Sequence, residues 1–223
     1  MAYVKVDFDQ MEQIPYVVGA IDITDVSLVP PTVNEQVYGN RKTYHSINVQ
    51  VVCLANQYLS QVTAKFPGSV HDSYIMWNSN VPHIMVRLHT ERAWLVDDSG
   101  YPNLPWLLTP AKYPATPGEL HFNEAHGRTR RVIERTFGLL KARFKCLDLS
   151  GGALLYSPHK VCQITVARCM HHNQALRHQI PLLADGGEAA VLLATHGDME
   201  SDEEPEEEGA AECRTELINR YFQ

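Results

Sequence analysis

Four acidic side chains stand out by where they fall in the chain: Asp22, Asp72, Asp98 and Glu134. Asp22 interrupts "YVVGAIDITDVSLVPP", residues 16–31, a run of apolar residues that reads as a buried strand, with Thr24 on the same side if the strand is regular. An ionised carboxylate there is expensive unless it is hydrogen-bonded, paired or bound to a metal. Asp98 follows the short apolar run 93–96 with Asp97 between them, and Asp72 opens a helix behind "PGSVH". Glu134 lies within a long helical pattern, flanked by Arg130, Arg131 and Arg135. Singly, each acid also fits a bland role. Asp22 could cap a turn or meet an arginine, and Glu134 could form an i,i+4 pair worth a few tenths of a kcal/mol. Taken together, carboxylates from separate elements that meet at one sheet edge bind hard divalent ions such as Mg²⁺ or Mn²⁺. Two such ions about 3.5–4 Å apart activate a water or 3′-hydroxyl and stabilise the leaving oxygen in phosphodiester cleavage. The basic residues of the Glu134 helix would hold phosphates.

The elements that must position these residues follow from periodicity and breakers. Pro30 and Pro31 end the first strand, and the residues up to about 45 read as a loop. Two β-rich runs, 47–54 and 58–66, separated by "ANQ", form a hairpin that Pro67 and Gly68 stop. Ser69 or Asp72 caps a helix through "DSYIMWNSNV". A further apolar run, 93–96, leads into a Pro-rich loop reaching about residue 117. A helix over about 122–146 has the stripe Ile133, Phe137, Leu140, Phe144, and a second covers about 158–178. The order predicts a layered α/β domain with a mixed sheet. Gly138 shares the face of Glu134 and costs about 1 kcal/mol relative to Ala in a helix interior, so it reads as room left for an ion or a nucleic-acid backbone.

Composition narrows the class. The chain has 223 residues, 20% charged, and a formal net charge of −7. Eight acidic residues lie in "HGDMESDEEPEEEG", residues 196–209, so the remainder is near +1 (−7 plus 8). Within that remainder "RTRRVIERTFGLLKARFK" holds seven Arg or Lys and one Glu, a pattern that fits an anionic partner. The acid run reads as a solvated linker. The expected organisation is a folded domain over 1–184, a disordered acidic linker over 185–212 and a short C-terminal tail over 213–223. Five cysteines without a CxxC pair point to reduced thiols. No apolar run approaches the roughly 20 residues that cross a membrane. Cys162, Cys169, His171 and His172 lack a zinc-site spacing and read as helix packing. Neither a nucleophile elbow nor a phosphate-binding glycine loop is present.

Four strings, "GAIDITDV", "PGSVHDSYIMWNS", "DDSGYPNLPWLLTP" and "FNEAHGRTRRVIERTFGLLKARFKCL", resemble the PIF/Harbinger transposases and the nucleases derived from them. The likeness runs from about 16 to 178 and resumes at "RTELINRYF". It implies a ribonuclease H-like DDE nuclease fold, α/β with a mixed sheet flanked by helices, using divalent metal on DNA. Residue by residue, Asp22 matches the first-strand aspartate, Asp98 the aspartate after the fourth strand and Glu134 the helical glutamate; these three would be catalytic. Asp72 matches a further acidic position and would be a fourth metal ligand, the second triad place lying between Asp72 and Asp98. Arg128, Arg131, Arg135 and Lys141 would contact DNA phosphates. The family often has "IDGTH" where this chain has Ile23 and Asp25, and Gly where it has Asp97. Such drift fits an active nuclease or strand transferase, and also a domesticated scaffold that binds without cutting. Fewer residues precede the first strand than in the family, which the resemblance explains either by a DNA-targeting module supplied in trans, from a Myb/SANT-like partner, or by a truncated gene model or isoform. The resemblance implies a nuclear protein, with cytoplasmic residence and an oligomer both open.

Overall fold

The computed structural model describes residues 14–89, 92–97, 100–101, 104–182 and 209–222. Five strands make one sheet: β1 (Val17–Ser27), β2 (Ser46–Cys53), β3 (Leu59–Pro67), β4 (Trp94–Val96) and β5 (Leu107–Leu108). Their order is β3-β2-β1-β4-β5. The β2–β3 hairpin and its pairing with β1 are antiparallel, whereas β4 and β5 run parallel to β1. The helices are α1 (Asp72–Trp77), α2 (Val81–His89), α3 (Pro117–Arg143), α4 (Pro158–Arg177) and α5 (Ala210–Tyr221). This mixed sheet with helices on its faces is the architecture expected for a ribonuclease H-like fold.

Two apolar layers sandwich the sheet. Ala20, Val26, Val49, Val51 and Cys53 meet Val132, Ile133, Phe137 and Leu140 of α3 on one side. Ile21, Val52 and Leu95 meet Met76, Val81 and Met85 of α1 and α2 on the other. Strand alternation therefore places the side chains flanking Asp22 along β1, Ala20 and Thr24 with it, toward α3. The registers Asp22↔Val51 and Ala20↔Val96 put β1 between two neighbours. At Gly19 a Cβ would lie 3.0 Å from Cys53 O and from the Leu95 and Val52 side chains, so glycine lets the three strands pack closely there.

Helix α3 carries Glu134, and its rotation is fixed at several points. It begins at Pro117, five residues before the expected start at about 122, because Thr116 and Glu119 form a capping box. Glu119 accepts the backbone N–H groups of Ala115 and Thr116 at 2.8 and 2.9 Å. These bonds hold its carboxyl below the usual glutamate range. Asn123 exchanges two hydrogen bonds with the backbone of Ala111, at 2.8 and 2.9 Å. The buried His126 ring meets Leu108 O at 2.8 Å, tying the helix to β5.

Three elements depart from the sequence expectation. The segment after "NSN" is the helix α2, and β5 lies inside the stretch expected to be only a Pro-rich loop. Residues 183–208, most of the expected linker, lie outside the described residues. The expected tail belongs to α5, which begins at Ala210 and buries Leu217, Ile218 and Phe222 in the core beside α3. Apolar burial on this scale, about 1.5–3 kcal/mol per large side chain, offsets the entropy of ordering the segment. His71, rather than Ser69 or Asp72, caps α1. His172 is buried against Gln57 O at 3.3 Å, and burial pushes its ring pKa down, as core packing of that face requires. Among the described residues no helix is long and apolar enough to cross a membrane.

The docking of α5 has a sharp test. A Cβ on Gly118 would lie 2.6 Å from Phe222 O. Gly118→Ala should therefore displace the end of α5 and cost about 1–3 kcal/mol, the range for an overpacked site. Thermal unfolding measures it, and an unchanged or raised melting temperature would show that the contact is not tight.

Candidate functional site

Asp22 sits mid-strand on β1, 7% exposed. Its Oδ1 accepts the N–H of Ile23 at 2.6 Å, and its Oδ2 lies 3.5 Å from the Arg130 guanidinium. Arg130 also donates to Glu134 Oε1, one turn further along α3. One guanidinium thus spans two carboxylates that come from a strand and a helix far apart in the chain. The i,i+4 reading of Glu134 with Arg130 holds, and the arginine reading of Asp22 holds with it, through the same residue. Side-chain exposures of 17% for Arg130 and 22% for Glu134 leave this group open at one edge.

The donors fit a hard divalent cation in kind: two carboxylates converge on a single positive group. Among the described residues no set of three histidine, cysteine, aspartate or glutamate side chains stands in ligating geometry. Asp98, expected as the second triad member, lies outside the described residues. Its chain neighbour Asp97 is 0% exposed, and its N–H bonds Leu108 O at 3.2 Å. Val96, the last residue of β4, lies opposite Ala20, two residues before Asp22 on β1. Asp72 is the first residue of α1, a helix packed on the sheet face opposite α3. Asp72 and Glu134 therefore approach from different faces.

The basic residues of α3 divide into two groups. Arg131 and Arg135 are exposed, and Arg128 is partly buried. Lys141 shares the flank of Arg130 and Glu134 and is half-buried. Burial pushes its pKa down, while the charges of Asp25, Asp148 and Asp22 act in the opposite sense. Gly138, between Glu134 and Lys141 on that flank, is exposed, and a Cβ there would meet nothing within 4 Å. Asp25, which stands where the family often has histidine, accepts from Ser46 Oγ at 2.8 Å and Asn40 Nδ2 at 3.3 Å and pairs with Lys42 at 3.5 Å. These contacts fasten the β1–β2 connection.

Sequence reasoning placed Arg130 on the Glu134 face but gave it no part in the site. Its bond to Asp22 is a tertiary contact, and only the i,i+4 spacing could have hinted at it. Removing Arg130 should leave two carboxylates without their shared counter-charge. Arg130→Met is expected to cost about 1–3 kcal/mol, discounted from the fully buried case because the edge is partly solvated. In an Asp22→Asn, Glu134→Gln background the same substitution should cost less than half as much. Equal costs in the two backgrounds, read by denaturant unfolding, would show that the three side chains do not act together.

Comparison with known proteins agrees with the architecture. The DDE superfamily endonuclease profile matches residues 21–173. The chain is 36% identical over 218 residues, 98% of its length, to a Rattus norvegicus protein named "Putative nuclease HARBI1". It is 38% identical over 174 residues, 78% of its length, to the Homo sapiens protein of the same name. It is also 27% identical over 186 residues, 76% of its length, to "Protein ALP1-like" of Arabidopsis thaliana. The chain spans 62% of the rat relative, 50% of the human one and 45% of the plant one. No solved structure matches it. The chain belongs to the DDE superfamily of endonucleases, among the nucleases derived from Harbinger transposases.

Proposed function

We propose that this chain is the catalytic part of a divalent-metal-dependent DNA endonuclease or strand transferase. The observation that carries the reading is the convergence of Asp22 and Glu134 on one guanidinium between the central strand and α3. DDE superfamily endonucleases generally use divalent metals, which supports the same reading. In this proposal Asp22, Asp98 and Glu134 hold the metal, with Asp72 as a further ligand. When bound, the cation supplies an activated water or 3′-hydroxyl and neutralises charge on the leaving oxygen. Arg130 holds the two carboxylates together until then. Arg131 and Arg135, with Arg128, give the strand backbone a cationic helix face, and Lys141 adds a positive group along the Glu134 flank. The open space at Gly138 lets that backbone approach the helix. On this reading a Myb/SANT-like DNA-binding protein supplies target recognition, and the nucleus is the place of action.

Glu134→Gln keeps the side-chain volume and removes the charge. It is expected to abolish Mn²⁺-dependent plasmid nicking while circular dichroism and melting temperature stay close to wild type. Wild type should also gain melting temperature in millimolar Mn²⁺, and the variant should gain less. Equal nicking by the two proteins would remove Glu134 from the chemistry. A wild type that neither nicks nor responds to Mn²⁺ would leave a non-catalytic scaffold.

A further inference from the structure

We infer that the outer face of α1, together with Lys65 of the edge strand β3, is a stacking platform for unpaired DNA bases. This deepens the nuclease reading above, on which its place in the reaction rests: the substrate class becomes DNA with single-stranded nucleotides beside the scissile phosphate. Helix α1 turns Ile75 and Met76 into the core and leaves Tyr74 57% and Trp77 50% exposed, three residues apart and so on one face. The Tyr74 ring meets Phe66 of β3 edge to face, with centroids 6.0 Å apart and planes at 86°. Lys65 Nζ lies 4.9 Å from the centre of the Phe66 ring. It donates at 2.9 Å to the carbonyl of Asn78, the residue after Trp77. An ammonium has three donors, so this bond leaves others for a phosphate.

Single exposed apolar side chains are ordinary on a protein surface. Two large rings one turn apart, with a cation fixed at their border, form a cluster, and each ring offers a π-face that any base can stack on. Charge favours a nucleic-acid strand over a protein as the occupant. Across residues 59–89 the charged side chains other than histidine are Lys65, Asp72 and Arg87. Asp72 is the one that the nuclease reading gives to the metal, so no other carboxylate of β3, α1 or α2 repels a phosphate there. Strand β3 is the outermost of its side of the sheet, and Lys65 and Phe66 stand on it. The registers Phe66↔Asn48 and Asn48↔Asp25 put the backbones of Phe66 and Asp25 two strand spacings apart, about 10 Å. Helix α1 packs on the sheet face opposite α3. The rings therefore engage nucleotides flanking the reacting phosphate, not the phosphate itself.

The test uses the full chain in EDTA, with a short oligodeoxythymidylate and a blunt duplex of the same length as probes. Trp94 and Trp106 are 8% and 4% exposed, so quenching of tryptophan emission by bases reports on Trp77. The oligonucleotide should quench wild type. Trp77→Ala should lose that quenching and raise the oligonucleotide Kd about tenfold, the scale for losing one base stack. Its duplex Kd and melting temperature should stay close to wild type, and Trp77→Phe should recover most of the affinity. Lys65→Gln should reduce the salt slope of oligonucleotide binding by about 0.7, one phosphate contact on a single strand. Oligonucleotide binding by Trp77→Ala as tight as wild type overturns the inference and leaves this face to a protein partner. Equal losses on oligonucleotide and duplex overturn it too, because stacking needs unpaired bases. If Trp77→Ala does not fold, Tyr74→Leu carries the test, with weaker oligonucleotide binding expected and an unchanged Kd overturning the inference. A wild type that nicks with Mn²⁺ but binds the oligonucleotide without quenching overturns this inference alone. Stacking at Trp77 in a protein that neither nicks nor responds to Mn²⁺ overturns the nuclease reading alone.

Discussion

The structure turns on the charge of Asp22. A carboxylate in the central strand of a five-stranded sheet, 7% exposed, demands a cation within reach. Arg130 meets that demand in the chain as it stands, and the same guanidinium takes up Glu134. Once the helix and the strand are joined through this group, the rest of the site has a fixed frame. The fold therefore holds an arrangement that repels itself except when a positive charge occupies its middle.

Much of the molecule serves to keep α3 at the rotation this arrangement needs. The Thr116–Glu119 capping box sets where the helix starts, and Asn123 and His126 pin its first turns to Ala111 and Leu108. Helix α5 closes over the same end through Leu217, Ile218 and Phe222. At the other end Leu140 enters the core, and Arg168 of α4 stacks over Phe144, the residue at which α3 stops, at 5.3 Å. With the helix clamped at both ends, Glu134 cannot turn away from β1 without breaking apolar contacts on the opposite side of α3.

The sequence made the long periodic elements legible. The β2–β3 hairpin, β1, α3 and α4 were foreseen because alternation and helical stripes persist over enough residues. Helix α2 was missed because "VPHIMVRLH" follows a turn and is short, and β5 because two residues carry no period of their own. Helix α5 lay behind an acidic run whose composition suggested that order had ended. In the site, Asp22 and Glu134 could be named from residue type and position, since a carboxylate in an apolar strand and a glutamate in a basic helix are both locally odd. Arg130 could not be given its role in this way. Arg130 looked like one more cation of a basic helix, because its contact with Asp22 joins a helix to a strand far apart in the chain. Asp97 was noticed only as a departure from the family; its complete burial is a property of the packed sheet.

Anomalous diffraction from crystals grown in Mn²⁺ would bear most directly on the central claim, that Asp22 and Glu134 converge to hold a cation. The account predicts a manganese peak between these two carboxylates, with the Arg130 guanidinium moved off at least one of them. Well-ordered crystals with saturating Mn²⁺, no peak at that edge and Arg130 still bridging Asp22 and Glu134 would contradict it.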